Sequence, residues 1–213
     1  MTEAQIRMAI CEVGRRLWLK DLVGGTEGNI SARIGENRFL ITPSGAAKGT
    51  MNPEDLLICD AAGKKLAGSG NVSSEFRLHT EIYEHRPDCQ SVVHAHPPVA
   101  TAMSVAGVTI PDDVMPESAI VLGRVAFVPF AMPGTEEVAA AIRPFLADHK
   151  TLVLSHHGAC SMGNDVFDAG NRMEILERVS TVLMYAEQMG GFRRLSPEAM
   201  EYLAERGLNG RLD

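Results

Sequence analysis

Residues 94–96 read His-Ala-His and close the apolar run Ser91-Val92-Val93. No other feature constrains the chain as strongly. Side chains alternate faces along a β-strand, so His94 and His96 point the same way. Two imidazoles on one face of a rigid strand can grip one metal ion if further ligands converge on them. A third candidate lies in Ser155-His156-His157-Gly158, and a carboxylate, Glu75, stands in Ser73-Ser74-Glu75. Three histidines, a carboxylate and an open coordination position make a catalytic zinc site. A His-x-His pair by itself is more often a surface or satisfied core pair, so the weight falls on the segments around it.

A length of 213 residues suits one domain, 1–213, with a substantial core. The 45% hydrophobic and 22% charged residues are ordinary for a soluble globular chain. The net charge of -7, with no basic cluster to follow a phosphodiester backbone, argues against nucleic acid as a partner. It leaves room for an anionic substrate, because local donors outweigh a modest global field. Cys11, Cys59, Cys89 and Cys160 form no Cys-x-x-Cys pair and no evident disulfide framework, which suits a reducing cytoplasm. The polar start, Met1-Thr2-Glu3-Ala4-Gln5, lacks a basic-then-apolar signal pattern. No apolar run approaches the roughly 20 residues that span a bilayer. The expectation is a cytoplasmic protein with no membrane partner.

Ile6, Ala9, Ile10, Val13, Leu17 and Trp18 fall on one helical stripe, predicting a helix from residue 3 to about 22 ended by Gly24-Gly25. Residues 28–34 and 37–42 read as a strand pair turning at Gly35-Glu36-Asn37, and Leu56–Cys59 as another strand. A helix is expected from Ser74 to Arg86, with a serine cap, Glu75 in its first turn and Pro87 as the stop. The histidine strand, a helix over 98–105, a strand over Val125–Val128 and a helix capped by Thr135 and running to about 148 follow. Thr151–Leu154 reads as a buried strand, residues 165–189 as a long amphipathic helix, and Ser196-Pro197-Glu198 as the start of a last helix. Strands interleaved with helices imply an α/β sheet covered on both faces; the short turns make it mixed or partly antiparallel.

Three segments rich in small residues share a chemical character. Gly25-Thr26-Glu27-Gly28-Asn29 carries glycines, a hydroxyl and an amide; Thr42-Pro43-Ser44-Gly45 carries two hydroxyls and a glycine; Ser73-Ser74 sits at an expected helix N-terminus. Glycine lets backbone N–H groups approach a ligand, hydroxyls add donors, and a helix N-terminus favours an anion. Together they can cradle a phosphate without arginine. Each taken singly is a turn or a cap.

The ordered set Gly25-Thr26-Glu27-Gly28-Asn29-Ile30-Ser31, Ile41-Thr42-Pro43-Ser44-Gly45, Ser73-Ser74-Glu75, Val92-Val93-His94-Ala95-His96 and His156-His157-Gly158 resembles the class II aldolase/adducin superfamily, most of all its L-fuculose-1-phosphate aldolase type. The resemblance runs from about residue 4 to 205. It implies a three-layer α/β/α sandwich around a mixed, largely antiparallel sheet. It also implies a four-fold homotetramer with sites near the subunit interfaces. The family's zinc ligands fall on His94, His96 and His157, with His156 the neighbour rather than the match. Its catalytic carboxylate falls on Glu75, and its phosphate loops on Thr26, Gly28, Asn29, Ser44, Gly45, Ser73 and Ser74. The implied reaction is reversible cleavage of a 1-phosphoketose to dihydroxyacetone phosphate and an aldehyde through a metal-stabilised enediolate. One Zn2+ per subunit would act as Lewis acid, Glu75 would shuttle the proton, and the loops would hold the phosphate. Mn2+, Co2+ or Fe2+ suits the same ligand types.

The chain departs from the fuculose type at two places. The family's tyrosine that protonates the aldehyde oxygen meets Met115 in Asp113-Val114-Met115-Pro116-Glu117, and Glu117 is the substitute that offers itself; it reads equally as an ordinary exposed or capping carboxylate. The tail, Leu208–Asp213, also lacks the family's C-terminal tyrosine. The same scaffold hosts decarboxylases of phosphorylated 3-oxo sugar acids, phosphopentulose epimerases, methylthioribulose-phosphate dehydratases and non-enzymatic adducin-like domains. The epimerases usually carry an aspartate at the position of Glu75. The dehydratases carry a glutamate near the position of Glu117. The aldehyde half of the substrate, whether of fuculose-, ribulose-, 5-deoxyribulose- or methylthioribulose-1-phosphate type, is not legible in these residues.

Overall fold

The computed structural model describes residues 1–208, with side chains to residue 205; residues 209–213, most of the tail noted above, lie outside the described residues. Eight strands form one sheet: β1 (Asn29–Gly35), β2 (Arg38–Ile41), β3 (Leu57–Cys59), β4 (Lys65–Ala67), β5 (Ser91–Ala95), β6 (Val125–Val128), β7 (Thr151–Leu154) and β8 (Gly158–Gly163). Their spatial order is β4-β3-β2-β1-β5-β8-β7-β6. Every neighbouring pair is antiparallel except β6 and β7, which run parallel. A parallel pair needs a crossover, and α4 (Glu136–Ile142) lies in it.

Helices cover both faces, so the molecule is a three-layer α/β/α sandwich. Helices α1 (Glu3–Leu19), α3 (Pro98–Ala106) and α5 (Val166–Gln188) pack on one face with Ile30, Ala32, Leu40, Ile58, Val93, Ala95, Val153 and Ala159. Helices α2 (Phe76–His85) and α4 pack on the other with Phe39, Ile41, Leu57, Cys59, Val92, Leu152, Leu154, Cys160 and Met162. The strand alternation read from sequence thus decides the layer each residue enters. His94 lies between Val93 and Ala95, so it takes the face of α2 and α4.

Several expectations are corrected. The first helix ends at Leu19, five residues before Gly24, and Trp18 is 46% exposed, lying over Gly49 rather than in the stripe. The second begins at Phe76. Glu75 is its cap residue and makes no side-chain capping bond, while Ser73 Oγ accepts from the Glu75 N–H at 3.3 Å. The helix after Thr135 stops at Ile142 and passes into a 3₁₀ turn, Arg143–Phe145, because Pro144 has no N–H to continue the ladder. Thr135 does cap it, accepting from Glu137 N at 3.2 Å. Strands β4 and β8 and a π-helix over Ser118–Leu122 were not expected. The final helix, α6, spans Pro197–Leu208. Among the described residues no helix is long and apolar enough to cross a membrane, and all four cysteines are free.

Candidate functional site

The three histidines gather at the adjoining ends of two neighbouring antiparallel strands, β5 and β8. His94 is fully buried near the end of β5 and pairs in register with Cys160 of β8. His96 follows just past the strand end. His157 lies in the tight turn between β7 and β8, its N–H bonded to Leu154 O at 3.0 Å. The preceding His156 takes a left-handed φ of 59°. That turn leaves His156 exposed, its N–H on Ser104 Oγ and its ring against Phe130, away from the other imidazoles.

His94, His96 and His157 each offer a ring nitrogen, all within 4.8 Å of one another. The Nε2 atoms of His94 and His96 stand 3.2 Å apart. Two nitrogens bound about 2.0–2.1 Å from a tetrahedral zinc lie about 3.3–3.4 Å apart, so the spacing fits one ion. Proton positions agree. His94 Nδ1 donates to Ala159 O at 2.9 Å, which leaves a lone pair on Nε2. His96 Nδ1 faces Glu27 Oε2 at 3.6 Å. Burial, then the nearby His94 and His157, push the His96 pKa down to about 4, so it is neutral and ready to ligate near pH 7.

Glu75 completes the group. Its Oε1 lies 3.2 Å from His157 Nε2 and 3.5 Å from His94 Nε2, and its Oε2 accepts from Asn29 Nδ2 at 2.9 Å. Burial pulls its pKa up, but the imidazoles of His157 and His94 outweigh that and hold it well below the usual carboxylate range. Glu75 is therefore an ionised acceptor aimed at the histidine cluster.

The cluster opens into a cavity of about 380 Å³. Thr26, Gly28, Asn29, Ser44, Gly45, Ser73 and Ser74 all line it, together with Glu75, His96 and His157. Three loops far apart in sequence thus meet the histidines at one end of the sheet. Gly28 shows why glycine is needed: its φ is 69°, and a Cβ there would sit 2.6 Å from His94 O. A larger cleft of about 600 Å³ runs between α2 and α4 past Arg77 and Arg143; it shares Ser73 and Ser74 but none of the histidines.

Glu117 is not brought to this cavity. It is exposed at the cap of the π-helix. Met115 is half-buried against the core on the α1–α3–α5 face. Lys48, which the sequence reading passed over, does line the cavity. It is 2% exposed, and its Nζ donates to Thr26 O at 2.7 Å and Ala46 O at 2.8 Å, tying the first two loops together. Burial pushes its pKa down to about 8, against the opposing pull of Glu75 and Glu27. A lone lysine in the run Gly45-Ala46-Ala47-Lys48-Gly49 was the available signal. Glu177 was missed too: it accepts from Val99 N and Ala100 N, capping α3 directly after the His96-Pro97 step.

Known proteins resemble the chain over most of its length. The 3-oxo-tetronate 4-phosphate decarboxylase of Haemophilus influenzae is 28% identical over 211 residues, covering 97% of this chain and 100% of that protein. The methylthioribulose-1-phosphate dehydratase of Methylococcus capsulatus is 35% identical over 188 residues, covering 83% and 92%. The solved L-fuculose-1-phosphate aldolase of Thermus thermophilus superposes with a TM-score of 0.78 at 30% identity, covering 89% of this chain and 99% of that one. The family model described as Class II Aldolase and Adducin N-terminal domain matches residues 8–184, and the chain belongs to that family.

Proposed function

We propose that this chain is a divalent-metal-dependent lyase that reversibly cleaves a 1-phosphoketose to dihydroxyacetone phosphate and an aldehyde. The observation that carries the reading is the meeting, at one cavity, of the Glu75 carboxylate, three donor-rich loops and a cluster of three imidazoles, of which His96 and His157 line the cavity and His94 lies buried beside them. The pattern divides the substrate in two. The loops around Gly28, Gly45 and Ser73-Ser74 bind the phosphate through backbone N–H groups and hydroxyls. The carbonyl end is then held at the histidines, and binding of the remote phosphate orients the reacting carbons. A cation held by His94, His96 and His157, zinc or in its place Mn2+, Co2+ or Fe2+, supplies Lewis acidity for the charge that develops on the substrate oxygens. Glu75 moves the proton at the carbon beside the ketone, and Asn29 holds its far oxygen. We further read the chain as a cytoplasmic homotetramer with sites near subunit interfaces; because Glu117 lies outside its own subunit's cavity, we assign it as the acid that replaces the family tyrosine at a neighbouring subunit's site.

A second reading, decarboxylation of a phosphorylated 3-oxo sugar acid, is favoured by one observation: the relative matched over 100% of its own length is named for that reaction. Both reactions break a carbon–carbon bond next to a ketone and leave the same developing charge. Product analysis separates them. The zinc-loaded protein is screened against 1-phosphoketoses, with detection of dihydroxyacetone phosphate, and against 3-oxo acid phosphates, with detection of carbon dioxide. Dihydroxyacetone phosphate released together with an aldehyde from a 1-phosphoketose supports the first reading; carbon dioxide released from a 3-oxo acid phosphate, with dihydroxyacetone phosphate as its other product and no aldehyde, supports the second. A purified protein that neither contains nor binds metal would instead indicate an adducin-like scaffold. Glu75→Gln should retain metal and slow turnover about 10²- to 10⁴-fold; near-normal activity would remove Glu75 as the base.

A further inference from the structure

Behind Glu75 runs a buried chain of polar side chains that the proposed reaction does not use directly. Glu75, His79 and Tyr83 recur every four residues along α2 and its cap, so they share one helical stripe. Asn29 and Ser31 recur every two residues along β1, so they share one strand face. The two stripes interlock. Asn29 donates from Nδ2 to Glu75 Oε2 at 2.9 Å, and its Oδ1 is hydrogen-bonded to His79 Nε2. His79 Nδ1 meets Ser31 Oγ at 2.7 Å, and Ser31 Oγ meets Tyr83 OH at 2.8 Å. Asn29, Ser31, His79 and Tyr83 are all buried.

The proton order in this chain follows from one end. Asn29 donates from Nδ2 to Glu75, so its NH2 is turned toward the carboxylate. Its Oδ1 then accepts, so His79 carries its proton on Nε2. His79 is enclosed without a carboxylate partner, and burial takes its pKa down to about 3. A neutral ring protonated on Nε2 leaves Nδ1 to accept from Ser31, and the Ser31 oxygen in turn accepts from Tyr83. Every hydrogen therefore points toward Glu75, an arrangement in which each bond polarises the next.

We propose that His79, Ser31 and Tyr83 are positioning residues that act through Asn29: their one-way hydrogen-bond wire locks the Asn29 amide with its NH2 toward Glu75 and so holds the carboxylate square to the histidine cluster. The kinetic part of this proposal rests on the reading of Glu75 as the base; the proton order does not. A merely structural polar network would have the same proton order but would leave kcat unmoved when Ser31 or His79 is replaced in a protein that still folds.

The test begins with the metal-free protein. Nitrogen-15 labelling of the seven histidines, with His79→Gln to identify the missing resonance, reports the tautomer of His79. The Nε2–H form is expected, and an Nδ1–H form overturns the wire. Ser31→Ala, which removes the donor to Nδ1, should give a mixture of tautomers. It should also lower kcat about ten- to hundredfold while KM and metal content stay unchanged. His79→Leu should lose as much or more, and His79→Gln, which keeps a donor toward Asn29, should recover most of it. A folded Ser31→Ala protein with wild-type kcat overturns the positioning role. Should Ser31→Ala fail to fold, the tautomer of the unsubstituted protein still decides. If that tautomer is Nε2–H but no phosphorylated sugar is cleaved, the functional reading falls and the wire stands.

Discussion

Replacing Lys48 by methionine separates what stabilises the fold from what serves the cavity. Two opposing effects set the magnitude. Lys48 Nζ is buried and donates to two loop carbonyls, Thr26 O and Ala46 O. Losing hydrogen bonds to a charged donor costs about 1.5–3 kcal/mol apiece, and less here because Thr26 borders the cavity and Ala46 is only half-buried, so both carbonyls can take water. Against this, the folded protein bears the cost of keeping an ammonium out of bulk water. A pKa brought from 10.5 to about 8 corresponds to about 3 kcal/mol, discounted to about 2 kcal/mol for solvent on the cavity side. The sign is fixed by linkage. Below pH 8 lysine is protonated in both folded and unfolded chains, and the full cost is present. Between pH 8 and 10.5 the folded protein gives up its proton first, the unfolded chain binds more protons, and the cost fades. At pH 7, therefore, Lys48→Met should lie within about 1 kcal/mol of the unsubstituted protein, whereas at pH 10 it should be less stable by about 2 kcal/mol more. Urea unfolding followed by circular dichroism at the two pH values reads the difference. Calorimetric titration with inorganic phosphate should show an affinity loss on the order of tenfold at pH 7, since a unit charge beside the anion cradle has gone. A stability difference that does not change between pH 7 and 10 would refute the claim that Lys48 is a strained cation retained for the cavity.

Gly158→Ala would place a Cβ 2.5 Å from Ala95 O and 2.7 Å from His96 Cδ2, so it should displace His96 and weaken metal binding about tenfold in competition with a chelator; unchanged affinity would mean that β5 and β8 part without moving the ligand. Glu117→Gln should slow cleavage and leave phosphate affinity unchanged, and kinetics identical to the unsubstituted protein would remove Glu117 from the mechanism. Asp165→Ala removes the oxygen that accepts from Asp168 N at 2.8 Å at the head of α5, and should cost about 1 kcal/mol in urea unfolding with turnover unaffected.

What could be read from the residues divides along a physical line. Period-3.6 patterns reveal helices that face a core on one side, and short apolar or alternating runs reveal strands, which is why α1, α5, β1 and β5–β7 were legible. Strand β8 was not, because its residues are Gly-Ala-Cys-Ser-Met-Gly and carry little strand propensity. Crowding explains that composition. The strand is buried along its whole length between β5 and β7, and a Cβ at Gly163 would come within 2.3 Å of Ala169 N of α5. Small residues are what that close helix permits, and they erase the signal. The same holds for helix ends. Glu75 was expected inside the first turn of α2; it is instead the cap residue, and its carboxylate faces the histidines rather than capping the helix.

The site shows the same division more sharply. His94 and His96 share a face because of strand geometry, which needs no tertiary information. The choice between His156 and His157 turns on a single left-handed residue, and only the resemblance pointed to His157 beforehand. Lys48 was hidden because its partners are backbone carbonyls, which look alike in any sequence. The spacing Glu75–His79–Tyr83 was visible on α2, but it means nothing until Asn29 and Ser31 stand opposite it. What sets them there is the β1–β5 register, in which Asn29 pairs with His94. A slip of one residue would send Asn29 and Ser31 to the face of α1 and α5, leave Glu75 without its amide, and strand His79 in the core without partners. The register that brings the carboxylate to the imidazoles is therefore the same one that satisfies the buried polar chain behind it, so core stability and active-site geometry are selected together.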